Sequence, residues 1–315
     1  MATDRVPSRL SGHLAMFSAN VMWGLMAPVV KTIMIAGVIT PVVMTDLRII
    51  GACILFWILS LFTTREHVAP RDMGLMFVAS LLAIVFNQGN YVMGVGMSSP
   101  VDASIITTSM PLWAMLLAAF WLKEPITLRK VAGILLGAAG ALLLVFAGGD
   151  AHARARGDNP VLGDILILLA QVSYACYLVF FKNFVGRYSL VTTMKWMFTF
   201  ASIVILPFSW RQMADTAWTA LPATHIAGVV FVVAGATFVC YMLIIVGQRA
   251  LRPTVAGMYN YVQPVVAGVV AIAWGIASPG VANIAAVVLI FAGVTLVTTS
   301  RARADAPADT DVSRH

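Results

Sequence analysis

SSPVDASIITTSMPLWAMLLAAFWLKEPITLRKVAGILLGAAGALLLV, residues 98–145, decides the fold. It holds two apolar blocks around the polar turn Lys123-Glu124-Pro125. Each block is long enough, at roughly 20 residues, to cross a hydrocarbon core of about 30 Å as a helix. The stretch also recurs. Moved along the chain by 153 residues, it sets Pro100 on Pro253, Ala103 on Ala256, Pro111 on Pro264, Trp121 on Trp274, Gly140 on Gly293 and Leu143 on Leu296. Alanine and leucine match by chance in apolar sequence, so the paired prolines and tryptophans carry the weight. Upstream, an offset of 151 pairs Ala19 with Ala170, Trp23 with Tyr174 and Lys31 with Lys182, and an offset of 147 pairs Arg48 with Lys195.

Working outward, similar blocks fill most of the 315 residues. Hydrophobic residues make up 60% and charged residues 10%, and the mean hydropathy is +0.91. Soluble domains carry about 25% charged residues. The blocks do not alternate with the two-residue period of a β-barrel strand. An all-α integral membrane protein is expected. Ten spans are predicted, at 12–35, 41–61, 72–94, 98–121, 128–147, 161–183, 190–209, 224–247, 254–277 and 281–299. Prolines at 41, 100, 125, 160, 253 and 279 punctuate the breaks. The run after Arg5 and Arg9 starts like a signal peptide but continues to about Ala36, so it reads as the first span.

Lys and Arg set the orientation. With both termini in the cytoplasm, fourteen fall in inside segments and three (Arg154, Arg156, Arg211) in outside segments. That asymmetry is the positive-inside pattern, and it accounts for the net charge of +7 without nucleic acid. Two repeats of five spans each must enter the membrane from opposite faces. The predicted plan is an N-terminal tail (1–11), a first repeat (12–147), an external linker (148–160), an inverted second repeat (161–299) and a disordered tail (300–315). Inverted repeats suit a secondary transporter with its site at their interface.

Other chemistry is not supported. Cys53, Cys176 and Cys240 lie in apolar blocks and offer neither a disulfide framework nor metal spacing. The histidines are isolated, and no nucleophile elbow or nucleotide-binding loop occurs. The chain reads as no enzyme, with no cofactor and no metal. Its expected partners are a small-molecule substrate and membrane lipid. Gly133 and Gly137 in the fifth span allow close helix packing, within the bundle or in a homodimer.

Residues 98–145 resemble the end of an EamA domain, and ANVMWGLMAPVVK (19–31), with Trp23-Gly24, resembles its beginning. Two such domains in tandem are the pattern of the drug/metabolite transporter superfamily. The second half departs from it: Ile276-Ala277-Ser278 lacks the acid of Lys123-Glu124-Pro125. The resemblance implies export of amino acids, other small metabolites or drugs across the inner membrane.

Candidate binding residues are the polar ones inside apolar spans. They are Asn20 and Trp23; Asn87, Gln88, Asn90 and Tyr91; Ser104, Thr107, Thr108 and Pro111; Gln171 and Tyr174; Thr237 and Tyr241; and Tyr259, Asn260, Gln263 and Pro264. Each also fits simple hydrogen bonding between helices. A proline frees the carbonyl one turn back, so Pro111 and Pro264 mark either a central site or packing kinks. Arg48 would capture a carboxylate, or else pair with Asp46 or Asp102. Lys31, Lys195 and Asp102 are candidates for charge at the mouths, and Lys31 and Lys182 fit snorkelling equally. The expected cargo is an amino acid or related carboxylate. A passive channel and an exporter of organic cations are the competing functions.

Overall fold

The computed structural model describes residues 8–35, 37–97, 106–147, 159–273 and 280–300; some side chains inside these helices, Lys31 among them, are outside the description. Every regular element among the described residues is helical. The helices group into ten rods. α1 is Arg9–Ile35 and α2 is Pro41–Ser60. α3 runs Pro70–Ser80, through a π-helical turn at Leu81–Val85, to Phe86–Met97. α4 is Met110–Trp121, α5 Leu128–Ala147, α6 Pro160–Phe180 and α7 Leu190–Ala214. α8 runs Ala223–Val230, a π segment Phe231–Val239 and Cys240–Ala250. α9 is Pro253–Met258, a 3-10 turn Tyr259–Tyr261 and Val262–Ala273, and α10 is Val281–Thr298.

Among the described residues, five stretches are long and apolar enough to cross a membrane: Pro41–Ser60, Pro70–Gly94, Val161–Phe180, Leu190–Ala214 and Ala223–Ala250. Met110–Trp121 and Ile284–Thr298 are shorter apolar helices. The expected boundary of the seventh span at 209 falls short, because α7 continues through Pro207 to Ala214. The expected continuous span 98–121 is broken. Helical backbone at 106–107 gives way to a turn at Thr108-Ser109, and α4 restarts at Met110. Pro111 occupies the first turn of the restarted helix, where its missing N–H costs no hydrogen bond. Pro264 stands likewise in the first turn after the 3-10 break of α9.

The packing follows small residues. α5 and α10 make the closest crossing: a Cβ on Gly293 would lie 2.4 Å from the Gly133 carbonyl oxygen and 2.7 Å from the Gly137 nitrogen. The glycine pair anticipated at 133 and 137 is therefore spent inside the chain. α1 runs antiparallel to α8, with Gly12 against Ala250 and Gly247 against Met16. α2 packs on α7, the last segment of α3 packs on α6, α4 packs on α6, and α9 packs on α1. This set of pairings is unchanged when α1–α5 and α6–α10 are exchanged. The end carrying the start of α1 is called the near end below, and the opposite one the far end.

Candidate functional site

Arg48 lies midway along α2 and is partly buried. Its Nε donates to Thr237 Oγ1 at 3.0 Å. Thr237 in turn donates to the Val232 carbonyl at 2.8 Å, five residues back in the π segment. A π turn carries its backbone bonds from i to i+5, and that wider ladder admits the hydroxyl. Tyr241, one turn on, accepts from Gln88 Nε2 at 2.8 Å and meets the Trp23 ring edge-on at 6.0 Å between centroids. Trp23 Nε1 donates to the Ala236 carbonyl at 2.9 Å. Tyr174 of α6 stands beside Tyr241 and Cys240. Five rods thus bring Arg48, Thr237, Tyr241, Gln88, Trp23 and Tyr174 together. Two polar atoms in this cluster, Gln88 Oε1 and the Tyr174 hydroxyl, are buried without a hydrogen-bond partner among the described residues. No carboxylate among the described residues comes within ion-pair distance of Arg48.

A second polar group adjoins through α1. Gln263 Nε2 donates to Asn20 Oδ1 at 2.8 Å and to Asn260 Oδ1 at 3.3 Å, and Asn20 Nδ2 donates to the Met16 carbonyl at 2.8 Å. The two helix breaks also meet. Tyr261 of the α9 break donates to the Thr108 carbonyl at 2.9 Å, beside the Pro111 restart.

Other candidates go elsewhere. Asn87 donates to the Ala170 carbonyl at 3.0 Å, a bond between α3 and α6. Tyr91 of α3 is 40% exposed and makes no hydrogen bond to the cluster among the described residues. Tyr259 shares a 2.7 Å hydrogen bond with His13 at the near end. Lys195 lies 4.7 Å from the centroid of the Trp57 ring, and Trp57 is 40% exposed, so this ammonium rests on an outward-facing indole. Gln171 is buried in α6, and Asn90 and Thr107 are partly buried. Ser104, Asp102 and the Lys31 side chain lie outside the described residues.

Sequence reading passed over Asp46. It is 1% exposed, and neither carboxylate oxygen has a hydrogen-bond partner among the described residues. As the sequence spacing implies, it faces away from Arg48, because residues two apart on a helix do not face each other. The near end holds a denser network. Glu124 and Lys130 form a buried 2.8 Å ion pair, and Thr254 of α9 donates to the same carboxylate at 3.5 Å. Lys182 donates to the carbonyls of Gln248 and Leu251 where α8 ends, the favourable place for a cation on a helix dipole. Tyr177 donates to Gln248 Oε1 at 3.0 Å, and Arg249 Nε donates to the Val185 carbonyl at 3.1 Å. Glu66 accepts the Ser189 N–H at 2.9 Å. Burial pushes its carboxyl up, but hydrogen bonds from Thr192 and Ser189 and the charge of Arg249 outweigh that and hold it below the ordinary value. A cavity of about 480 Å³ opens at this end among Arg9, His13, Arg252, Val255 and Ser300.

Two internal matches to one family model, the EamA-like transporter family, cover residues 10–146 and 161–299. The chain belongs to the EamA-like transporter family. The resemblance read from residues 19–31 and 98–145 is thereby borne out. Relatives include the uncharacterized transporter YdfC of Bacillus subtilis, 25% identical over 65% of this chain, and YoaV of the same organism, 22% identical over 78%. The chain covers 64% of the length of YdfC and 83% of YoaV. An S-adenosylmethionine uptake transporter of Rickettsia bellii is 20% identical over 60% of each chain. A solved crystal structure shares the fold, with a TM-score of 0.77 at 20% identity, over 92% of this chain and 97% of its own.

Membership and the apolar helices make this EamA chain a multi-pass membrane protein. That changes the energetics of the cluster. Without bulk water, a charged side chain within a span costs about 2.5–3.5 kcal/mol even on the lenient insertion scale. Arg48 meets that cost with one neutral hydroxyl as its hydrogen-bond partner among the described residues.

Proposed function

We propose that the chain is a secondary carrier that exports a small carboxylate-bearing metabolite, of the amino-acid class, across the inner membrane. One observation carries the reading. The Arg48 guanidinium stands in a span without a carboxylate partner among the described residues, beside the unpaired Gln88 Oε1 and Tyr174 hydroxyl. A carboxylate would meet the cation, and an amino group or hydroxyl on the same molecule would donate to Gln88 Oε1. Trp23 and Tyr241 supply ring surface for an apolar side chain.

All ten rods span the membrane in this reading, as two inverted five-helix repeats with the near end cytoplasmic. The exchange symmetry of the helix pairings and the shared π turns of α3 and α8 support the repeats. The basic residues support the orientation. Arg9, Arg65, Arg71, Lys123, Arg129, Lys130, Lys182, Arg187, Arg249 and Arg252 gather at the near end, against Arg211 at the far end. Rocking of the halves would expose the cluster to each side in turn.

Counterflow into proteoliposomes tests the reading. Vesicles preloaded with an unlabelled amino-acid mixture should take up labelled amino acids faster than empty ones, because a carrier shows trans-stimulation and a channel does not. Arg48→Gln should weaken carboxylate binding about 10–100-fold, the worth of a charge-assisted hydrogen bond of about 1.5–3 kcal/mol. It should remain monodisperse on size exclusion. A monodisperse Arg48→Gln protein that transports normally ends the anion-capture idea. Preferential flux of organic cations would assign the chain to drug export instead.

A further inference from the structure

We propose that Asp46 is a protonation site of this carrier: its carboxyl is neutral while α2 and α7 are closed on each other and gives up its proton when that seam opens. The inference rests on the carrier reading above. Asp46 is five residues past Pro41, about 7.5 Å of axial rise from the far end of α2 at about 1.5 Å per residue. It is 1% exposed, and both carboxylate oxygens are without partners among the described residues. An ionised carboxylate so placed would bear a desolvation cost of several kcal/mol, offset only by the neighbouring Ser209 hydroxyl. The neutral acid removes that cost.

Among the described residues, no counter-charge comes within ion-pair distance of Asp46. On α7, the group beside Asp46 is the Ser209 hydroxyl, which donates to the Ile205 carbonyl at 3.2 Å. Arg211 and Asp215 lie at the end of α7, and Arg211 leans over Trp210 at 5.9 Å. Lys195 is on Trp57, far down the same seam. On α8, His225 precedes the π segment, and its buried Nδ1 has no hydrogen-bond partner among the described residues. On α3, Tyr91 is 40% exposed and carries no opposing charge. On α2 itself, Arg48 is turned to Thr237. None of these reaches ion-pair distance of Asp46. α1 contributes Lys31 to the same end, and its side chain is outside the described residues.

Position gives the buried acid a function. α2 and α7 belong to opposite halves and pack on each other, so the relative motion of the halves opens or closes this seam. Closed, it holds –COOH. Open to water, it releases the proton to a water molecule, leaving –COO⁻ and a hydronium ion, and closing recaptures one. No other reactant is needed. Thr193, the residue at the matching place in α7, is not an acid, so the coupling is built into one half.

Dicyclohexylcarbodiimide, an apolar reagent that adds to protonated carboxyls, tests the site without a substrate. Peptide mapping of the full-length protein in lipid should find the adduct on Asp46 and none on the ion-paired Glu124. The yield should fall at least about tenfold at alkaline pH. No adduct on Asp46, or a yield independent of pH, overturns the proposal. A transport arm uses the labelled amino-acid mixture with an imposed pH gradient. Asp46→Asn should keep counterflow and lose gradient-driven accumulation; Asp46→Ser replaces it if the first variant aggregates. Gradient-driven accumulation that survives in a folded variant overturns the coupling role and leaves the carrier reading standing. A wild type that moves no labelled amino acid overturns the carrier reading, while the adduct still judges the buried acid by itself.

Discussion

Gln88 separates what the fold needs from what the site needs. Its Nε2 donates to Tyr241 at 2.8 Å, while its Oε1 is buried with no partner among the described residues. A buried polar group left unmade costs about 1–3 kcal/mol, and only the replacement of both partners by apolar groups is nearly neutral. Gln88→Met removes the orphaned Oε1 but leaves the buried Tyr241 hydroxyl without its donor, so the two effects offset and the thermal midpoint should change little, while counterflow of amino acids slows several-fold. A variant that is destabilised and transports normally would make Gln88 a structural residue. The central residues were legible because Arg48, Gln88, Thr237 and Tyr241 are polar inside apolar blocks. Their partners were not. The two-residue spacing already turns Asp46 away from Arg48, but it does not say toward what: one side chain works toward α8 and the other lies in the α2–α7 seam. Lys195 carries the charge expected at a mouth, but the indole of Trp57, on a different helix, claims it. Such pairings arise from packing between rods, which spacing along one rod does not encode.

Breaks in the helices show what spacing does encode. Pro111 and Pro264 mark where α4 and α9 restart, and a residue without an N–H must leave such a mark. The π turns in LLAIV (81–85) and FVVAGATFV (231–239) leave none. A uniformly apolar run looks the same whether its helix has 3.6 residues per turn or more. Tyr261 links the two breaks by donating to the Thr108 carbonyl at 2.9 Å and to the Ile134 carbonyl at 3.4 Å. Its ring is seated by Gly137 of α5, where a Cβ would come within 2.5 Å of two ring carbons. The helix-packing glycine therefore also positions the break. Gly137→Ala should cost about 1–3 kcal/mol as overpacking and push the Tyr261 hydroxyl off Thr108. The expected result is a lower thermal midpoint, with counterflow reduced further than in a Tyr261→Phe protein, which loses the hydroxyl and keeps the ring seat. An unchanged midpoint for Gly137→Ala would show that the Tyr261 ring can retreat freely.

At the scale of the molecule, the two ends are closed by different forces. The near end is held by charge and hydrogen bonds between halves: Glu66 on Ser189, Asp72 on Tyr188 at 2.7 Å and Arg187 at 3.3 Å, and Thr254 on Glu124. Where α1, α2, α7 and α8 meet at the far end, closure is mainly apolar, through Ile33, Ile39, Val43, Met44 and Val232, with Thr40 donating to Gln212 at 3.3 Å at the rim. Parting this seam breaks no ion pair among the described residues. The near end cannot part until several polar groups find water. If the halves rock as proposed, the Thr40–Gln212 contact must separate in every cycle. Cysteines placed at these two positions, with Cys53, Cys176 and Cys240 replaced by alanine, give a cross-link that a reductant removes. Cross-linked protein should lose amino-acid counterflow at least about tenfold and recover it on reduction. Transport that continues across the closed link would mean that α2 and α7 stay together at the far end. The opening would then lie among the other rods, and Asp46 would lose its route to water.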